Sequence, residues 1–274
     1  MLNYKIMNAP LVSVIMPCYN MGEYIGEAID SVINQYYLNF ELIIINDGSD
    51  DPFTKDLLCK ISLEKIKVIH ISRTGLSSAR NHGISHSSGK YILPLDADDK
   101  ISKTYITDAV NILENKSDVG IVYGTSFFFG EKEGKQQLDV FDYNKMLFSN
   151  QIYCSAFFRR SDFDKISGYD IHMKYGWEDW EFWLSILELG VSVDFIDKPC
   201  FFYRIRSNSM VRSMTDEQMI YLRRRIYERH SNLYSHLFSD PLSLFHDLQY
   251  YKTEFDSYFI YKLFRKIRFV FRKL

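Results

Sequence analysis

Short apolar runs alternate with helical spacings over the first hundred positions. Val12-Ser-Val-Ile-Met16, stopped by Pro17, has the character of a buried strand. Glu23 to Gln35 places Ile25, Ala28, Ile29, Val32 and Ile33 at helical intervals. Glu41-Leu-Ile-Ile-Ile45 predicts a second strand, ended by Asn46-Asp47-Gly48. Lys67-Val-Ile-His-Ile71 predicts a third and Tyr91-Ile-Leu-Pro-Leu95 a fourth, with a helix over Leu76 to Ser87 between them. Near-continuous apolar strands separated by helices point to an α/β fold whose mostly parallel sheet is flanked by helices on both faces. Right-handed crossovers then bring the strand C-termini to one edge, where such sheets bind ligands.

Beyond residue 100 the rhythm changes. The pattern predicts a helix over Thr104 to Glu114, strands over Val119 to Phe129 and Gln151 to Arg159, and a helix over Glu178 to Leu189. Two strands, Val191 to Ile196 and Cys200 to Ile205, are expected around Lys198-Pro199, and helix from Thr215 onwards. No strong break precedes about residue 235. The expected organisation is therefore one domain over 1–235 and a basic amphipathic helical extension over 236–274.

The chain has 274 residues, 46% hydrophobic and 25% charged, which excludes a disordered or collagen-like class. Its net charge is −2, with no clustered basic face in the body of the chain, so a nucleic-acid partner is not expected. Cys18, Cys59, Cys154 and Cys200 form no C-x-x-C pair, which disfavours a zinc ribbon. Met1 to Pro10 lacks the apolar core of a signal peptide, and no run of about 18 apolar residues occurs. A cytoplasmic address is expected.

The chemistry concentrates after the strands. Asp96-Ala97-Asp98-Asp99 offers hard oxygen ligands of the kind that share Mg²⁺ or Mn²⁺ with phosphates; it equally reads as an acidic turn before a helix. Asn46-Asp47-Gly48-Ser49-Asp50-Asp51 reads first as a turn in which Asp50 or Asp51 caps the helix after Pro52. Asp47 is less easily a cap and can accept from a ligand's ring N–H. Arg80 suits a phosphate or a structural carboxylate. His82 and His86, four apart, lack a third ligand, and a metal there is not expected. In Trp177-Glu178-Asp179-Trp180, the acids suit a helix N-terminus or a general base beside an aromatic wall, while Trp180 and Trp183 read as core. No G-x-G-x-x-G, P-loop or G-x-S-x-G is present.

The order of these pieces, Val12-Ser-Val-Ile-Met-Pro-Cys-Tyr-Asn20, Glu41-Leu-Ile-Ile-Ile-Asn-Asp-Gly-Ser-Asp50, Ala79-Arg-Asn81, Leu95-Asp-Ala-Asp-Asp99 and Glu178-Asp-Trp180, resembles the family 2 inverting glycosyltransferases of the GT-A fold, over about residues 11–212. The resemblance implies a Rossmann-like sheet and a nucleotide-diphospho-sugar donor, most often UDP-linked. It implies that Pro17, Tyr19 and Asn20 line the nucleotide pocket, that Asp47 holds the base, and that Arg80 and Asn81 lie near ribose and diphosphate. Asp96 and Asp98 would be the D-x-D pair, with Mn²⁺ or Mg²⁺ on Asp98 and Asp96 supporting it or the ribose. Asp179 would be the catalytic base, with Glu178 and Trp177 beside the acceptor. One departure stands out. The family often has His where this chain has Arg206, and a guanidinium cannot ligate a metal, though it can meet the diphosphate. The bland reading of Arg204 and Arg206 is a solvated loop.

The expected activity is hexosyl or N-acetylhexosaminyl transfer to a glycan or lipid-linked glycan in bacterial surface polysaccharide or lipopolysaccharide assembly. The readings left beside it are a sugar nucleotidyltransferase, a phospho-acceptor module and an inactive nucleotide-sugar binder. In the tail, Ile260, Leu263, Phe264, Ile267, Phe271 and Leu274 share a helical face among six Lys and Arg. This pattern predicts peripheral contact with the inner-membrane surface; a packed helix or a homodimer contact is the other reading.

Overall fold

The computed structural model describes residues 9–138, 140–206, 214–237 and 241–257. Its first three strands are β1 (Val12–Cys18), β2 (Phe40–Asp47) and β3 (Ile66–Ile71), followed by β4 (Tyr91–Pro94). All four are mutually parallel in the order β3-β2-β1-β4. Every residue of β1 and β4 is buried, as the unbroken apolar runs require of strands covered on both faces. The covers are helices α1 (Gly22–Ile33), α2 (Pro52–Lys60) and α3 (Leu76–Ser85). Helix α1 buries Ile25, Ala28, Ile29 and Val32 along one stripe, in accord with its spacing. Asp51, not Asp50, caps α2: its carboxylate accepts from Thr54 N at 2.7 Å, and Pro52 occupies the first turn.

The second half of the sheet is mixed. It adds β5 (Lys100–Ile101), β6 (Val119–Gly130), β7 (Gly134–Lys135), β8 (Phe157–Arg159) and β9 (Ser192–Ile205). The order continues β4-β8-β6-β9-β5, with β8 antiparallel to both neighbours and β6 parallel to β9. Two expectations from the sequence are corrected by this half. The strand expected over Gln151 to Arg159 is confined to its last three residues. Gln151 instead bonds the backbone of Asp142 through both ends of its amide, which holds that segment as a loop. The two strands expected around Lys198-Pro199 are one strand, and Pro199 sits where the pairing with β6 shifts register. A bulge accommodates the missing N–H.

The next helices along the chain are α4 (Tyr105–Asn115), the single turns α5 (Tyr143–Met146) and α6 (Arg160–Phe163), α7 (Glu178–Leu187) and α8 (Asp216–Arg229). Helix α7 is buried nearly all round, including Trp180 and Trp183. Helix α8 is tied to the loop before α7 by Arg225, which donates to Asp170 Oδ2 at 2.6 Å.

The chain divides into two compact units, the first ending at Glu228 and the second beginning at Arg229; the sequence placed the division near 235. The second unit holds α9 (Ser231–Leu237) and α10 (Pro241–Ser257). The basic aromatic stretch beyond 257 lies outside the described residues. No described helix is long and apolar enough to cross a membrane.

Candidate functional site

The ends of β1, β2, β3 and β4 and the start of α7 line one cavity of about 770 Å³. Parallel strands force this convergence, since each passes its next residues to the same edge of the sheet. Pro17, Tyr19, Asp47, Asp96, Asp98, Trp177, Glu178, Asp179 and Arg206, all singled out in the sequence, lie in the lining. Two residues after β3 join them: the Arg73 guanidinium lies 3.0 Å from the ring centre of Tyr19, and Thr74 closes the same wall.

Asp47 is engaged by the protein itself. Its Oδ1 accepts from Thr74 N at 2.6 Å and its Oδ2 from Gly75 N at 2.9 Å, tying the β2 end to the loop after β3. Gly48 makes that approach possible. Its φ is +65°, and a Cβ there would stand 2.6 Å from the Arg73 backbone nitrogen. Gly48→Ala should therefore destabilise the protein by about 2 kcal/mol. The check is a lower denaturant midpoint at unchanged slope.

Three expected ligand residues serve the scaffold. Asn20, itself at φ +54°, accepts from the backbone of Asp50 and Asp51 through Oδ1 and joins the first two strand ends. Asn81 both donates to and accepts from the backbone of Tyr169 at 2.8 Å. Neither is among the cavity-lining residues. Arg80 is 1% exposed and also stands outside the lining. It donates to Asp96 Oδ1 at 2.7 Å and to Glu178 Oε1 at 2.6 Å. Burial works against its charge, but Asp96 and Glu178 outweigh it and keep the guanidinium protonated. Arg80 thus clamps the β4 end to the start of α7. Two buried or half-buried carboxylates facing one site need such a cation.

Helix α7 enters the site through a strained turn. Gly176 has φ +123° and Trp177, without glycine's freedom, has φ +58°. The turn sets Glu178 towards Arg80 and Asp179 towards the cavity. Asp179 Oδ2 accepts from Asn150 Nδ2 at 3.0 Å, and Oδ1 from Trp180 N at 2.8 Å. Burial, then the neighbouring Glu178 charge, push the Asp179 carboxyl up to about 7, with Arg80 opposing. A carboxylate so placed can take a proton near neutral pH. Asn150 carries no motif and was not legible in the sequence; it reaches Asp179 from 29 residues away.

At the opposite wall, Arg204 and Arg206 are not on a solvated loop. Arg204 is 11% exposed; its N–H donates to Asp99 Oδ1 and its Nε to the carbonyl of Asp98, both at 2.8 Å. Arg206 Nε donates to Asp98 Oδ2 at 2.6 Å. Burial, then Asp96, raise the Asp98 carboxyl, with Arg206 opposing. Asp99 is wholly buried and is raised further by burial and its two acidic neighbours.

The fit of a divalent ion to the D-x-D pair follows from these partners. Asp96 Oδ1 is held by Arg80 and Asp98 Oδ2 by Arg206, so each carboxylate already faces a cation. Among the described residues, the close group of metal-capable side chains is Asp96, Asp99 and Cys154, which omits Asp98. Burial, then Asp96, hold the Cys154 thiol well above its usual range, and the thiol form is a poor ligand. As arranged, this donor set does not fit a hard divalent ion. The rings of His82 and His86 lie 4.4 Å apart, tilted by 31°, and among the described residues they are in no such group.

The profile of glycosyl transferase family 2 matches residues 13–181. Glycosyltransferase GlyA of Streptococcus pneumoniae is 30% identical over 231 residues, covering 76% of this chain and 32% of that one. The minor teichoic acid biosynthesis protein GgaB of Bacillus subtilis is 30% identical over 210 residues, 72% of this chain and 23% of that one. An uncharacterized glycosyltransferase of Haemophilus influenzae is 31% identical over 77% of this chain and 70% of its own. The chain thus spans about a quarter to a third of the first two relatives. Among solved structures, S. aureus TarS 1–349 superposes with a TM-score of 0.60 at 21% identity, over 70% of this chain and 60% of that one. Its complex with UDP-GlcNAc gives 0.61 at 19% identity, over 74% and 61%. At these identities the likeness is one of fold.

Proposed function

The chain belongs to glycosyl transferase family 2, and from that premise we propose that it transfers a sugar, with inversion, from a nucleoside-diphosphate donor to an acceptor hydroxyl. The observation that carries the proposal is Asp179, held by Asn150 on the wall of the strand-end cavity with its carboxyl raised to about 7. UDP is the favoured nucleotide, because the TarS structures of like fold include complexes with UDP and UDP-GlcNAc. A surface-polymer or lipid-linked acceptor fits both the likeness to GgaB and the basic aromatic segment near the C-terminal end of the sequence.

The chemistry is a single displacement. The acceptor oxygen attacks the anomeric carbon as the bond from that carbon to the β-phosphate oxygen breaks. The nucleoside diphosphate leaves with the bonding pair, and the acceptor proton passes to Asp179. Positive charge develops on the sugar, as in glycoside hydrolysis, and favours an anionic wall beneath it. Tyr19 and Arg73 offer a flat stacked surface for a base. Trp177, beside Asp179, offers an aromatic face to the acceptor.

The test is the pH dependence of transfer from a UDP-sugar. Asp179 must be ionised to accept a proton, so kcat/KM should rise about tenfold per pH unit below about 7 and level off above it. A flat profile between about pH 5.5 and 8 would remove Asp179 as the base.

A further inference from the structure

We infer that Arg206 is the resident cation of the donor site: its guanidinium both occupies Asp98 and presents its remaining donors to the diphosphate, so nucleotide binding does not depend on a divalent ion. The inference rests on reading the cavity as a nucleoside-diphosphate site.

The geometry supports it in three ways. Arg206 Nε is 2.6 Å from Asp98 Oδ2, with the side chains 23% and 17% exposed, so the pair lies in the wall and is not a solvent-screened surface contact. The guanidinium is positioned from below, its carbon 5.5 Å from the ring centre of Tyr24, which Arg204 also covers at 4.9 Å. Its Nη groups, unlike Nε, bond no described residue, and Arg206 lines the cavity. A planar fork with one donor fixed on a carboxylate, on a residue that lines the cavity, suits a phosphate oxygen pair.

The carboxylates around it already have partners in the protein. Asp96 shares Arg80 with Glu178, Asp98 faces Arg206, and Asp99 accepts the backbone N–H of Arg204. A divalent ion on Asp98 would sit beside a guanidinium already bound to Oδ2, and Arg206 has no lone pair with which to join the coordination shell. The carboxylate of Asp98 acts here as a positioning group for Arg206.

The experiment is calorimetric titration of the full chain with UDP, GDP and dTDP, in EDTA and in Mn²⁺, for wild type, Arg206→Gln and Asp98→Asn. Thermal melts accompany each variant. The expected result is a wild-type nucleotide Kd within about threefold between EDTA and Mn²⁺. Arg206→Gln should weaken binding in EDTA by about tenfold or more, the loss of charge-assisted phosphate contacts, and regain affinity with Mn²⁺. Asp98→Asn, which loosens the hold on Arg206 but leaves its charge in place, should weaken binding in EDTA by less than Arg206→Gln does. A wild-type Kd that rises more than about tenfold in EDTA and is restored by Mn²⁺ would overturn the inference and leave the donor-site reading standing. The same holds if Asp98→Asn abolishes binding while it melts like wild type. Binding of no nucleotide under either condition would overturn both together.

Discussion

Asp179→Asn should lower sugar transfer by about 10²-fold or more and leave UDP affinity within about twofold of wild type. The amide keeps the shape of the side chain, and its one oxygen can keep one of the two bonds that the carboxylate accepts, from Asn150 Nδ2 or from Trp180 N. What is lost is a group able to take the acceptor proton, a need that arises only in the transition state, so kcat falls and ground-state binding does not. The same substitution should raise stability, and the sign follows from the carboxyl's position at about 7. In the unfolded chain an Asp ionises near its ordinary value of about 3.9. Between about 4 and 7 the folded state therefore holds a proton that the unfolded state has released. Wild type loses stability as pH rises through that window, by roughly 2–4 kcal/mol in all, and the amide variant, with no proton to exchange there, does not. The variant should melt above wild type at pH 8 and level with it near pH 4. Normal turnover by the variant would sink the assignment; equal melting at pH 8 would show that the carboxyl is not raised.

Arg80→Met should be among the most damaging single changes in the first unit. The guanidinium is buried and pairs with both Asp96 and Glu178. Its removal strands two carboxylates at the joint between β4 and α7. Breaking a buried pair costs about 3–5 kcal/mol, and the partial exposure of Asp96 argues for the lower end, about 3 kcal/mol. For a chain of this size that is a drop of roughly 6–12 °C in melting temperature. Arg80→Lys should recover only part of it, because one ammonium cannot replace a fork that serves two acids. Adding Glu178→Gln to Arg80→Met should restore part of the loss, since one stranded charge is gone. A melting temperature within about 2 °C of wild type for Arg80→Met would refute the clamp.

These two residues mark the line between what could and could not be read from the chain. Asp179 and Arg80 both stand in motifs, and both were legible as chemistry. Burial separates their roles. A guanidinium suits a phosphate or a carboxylate equally, and only the approach of Glu178, 98 positions away, makes Arg80 a clamp between β4 and α7. Asn20 and Asn81 were legible as polar residues at strand ends and a helix, yet the Asn20 amide is taken by the backbone of Asp50 and Asp51 and the Asp50 carboxylate, and the Asn81 amide by the backbone of Tyr169. Asn150 carries no local signal at all, because nothing around it in the chain resembles a site.

The parallel half of the sheet, its flanking helices and the gathering of Tyr19, Asp47 and Asp98 at one edge follow from local patterning. Apolar strand runs, helical spacing and the handedness of crossovers act over a few to a few tens of residues, so the order of residues carries them. The mixed pairing of β8, the bulge at Pro199, the Arg80 clamp and the Arg206 contact with Asp98 across 108 positions do not follow from any local pattern. A charge removed from water must find its partner through space, and which guanidinium reaches which carboxylate is settled only when distant strand ends pack into one wall.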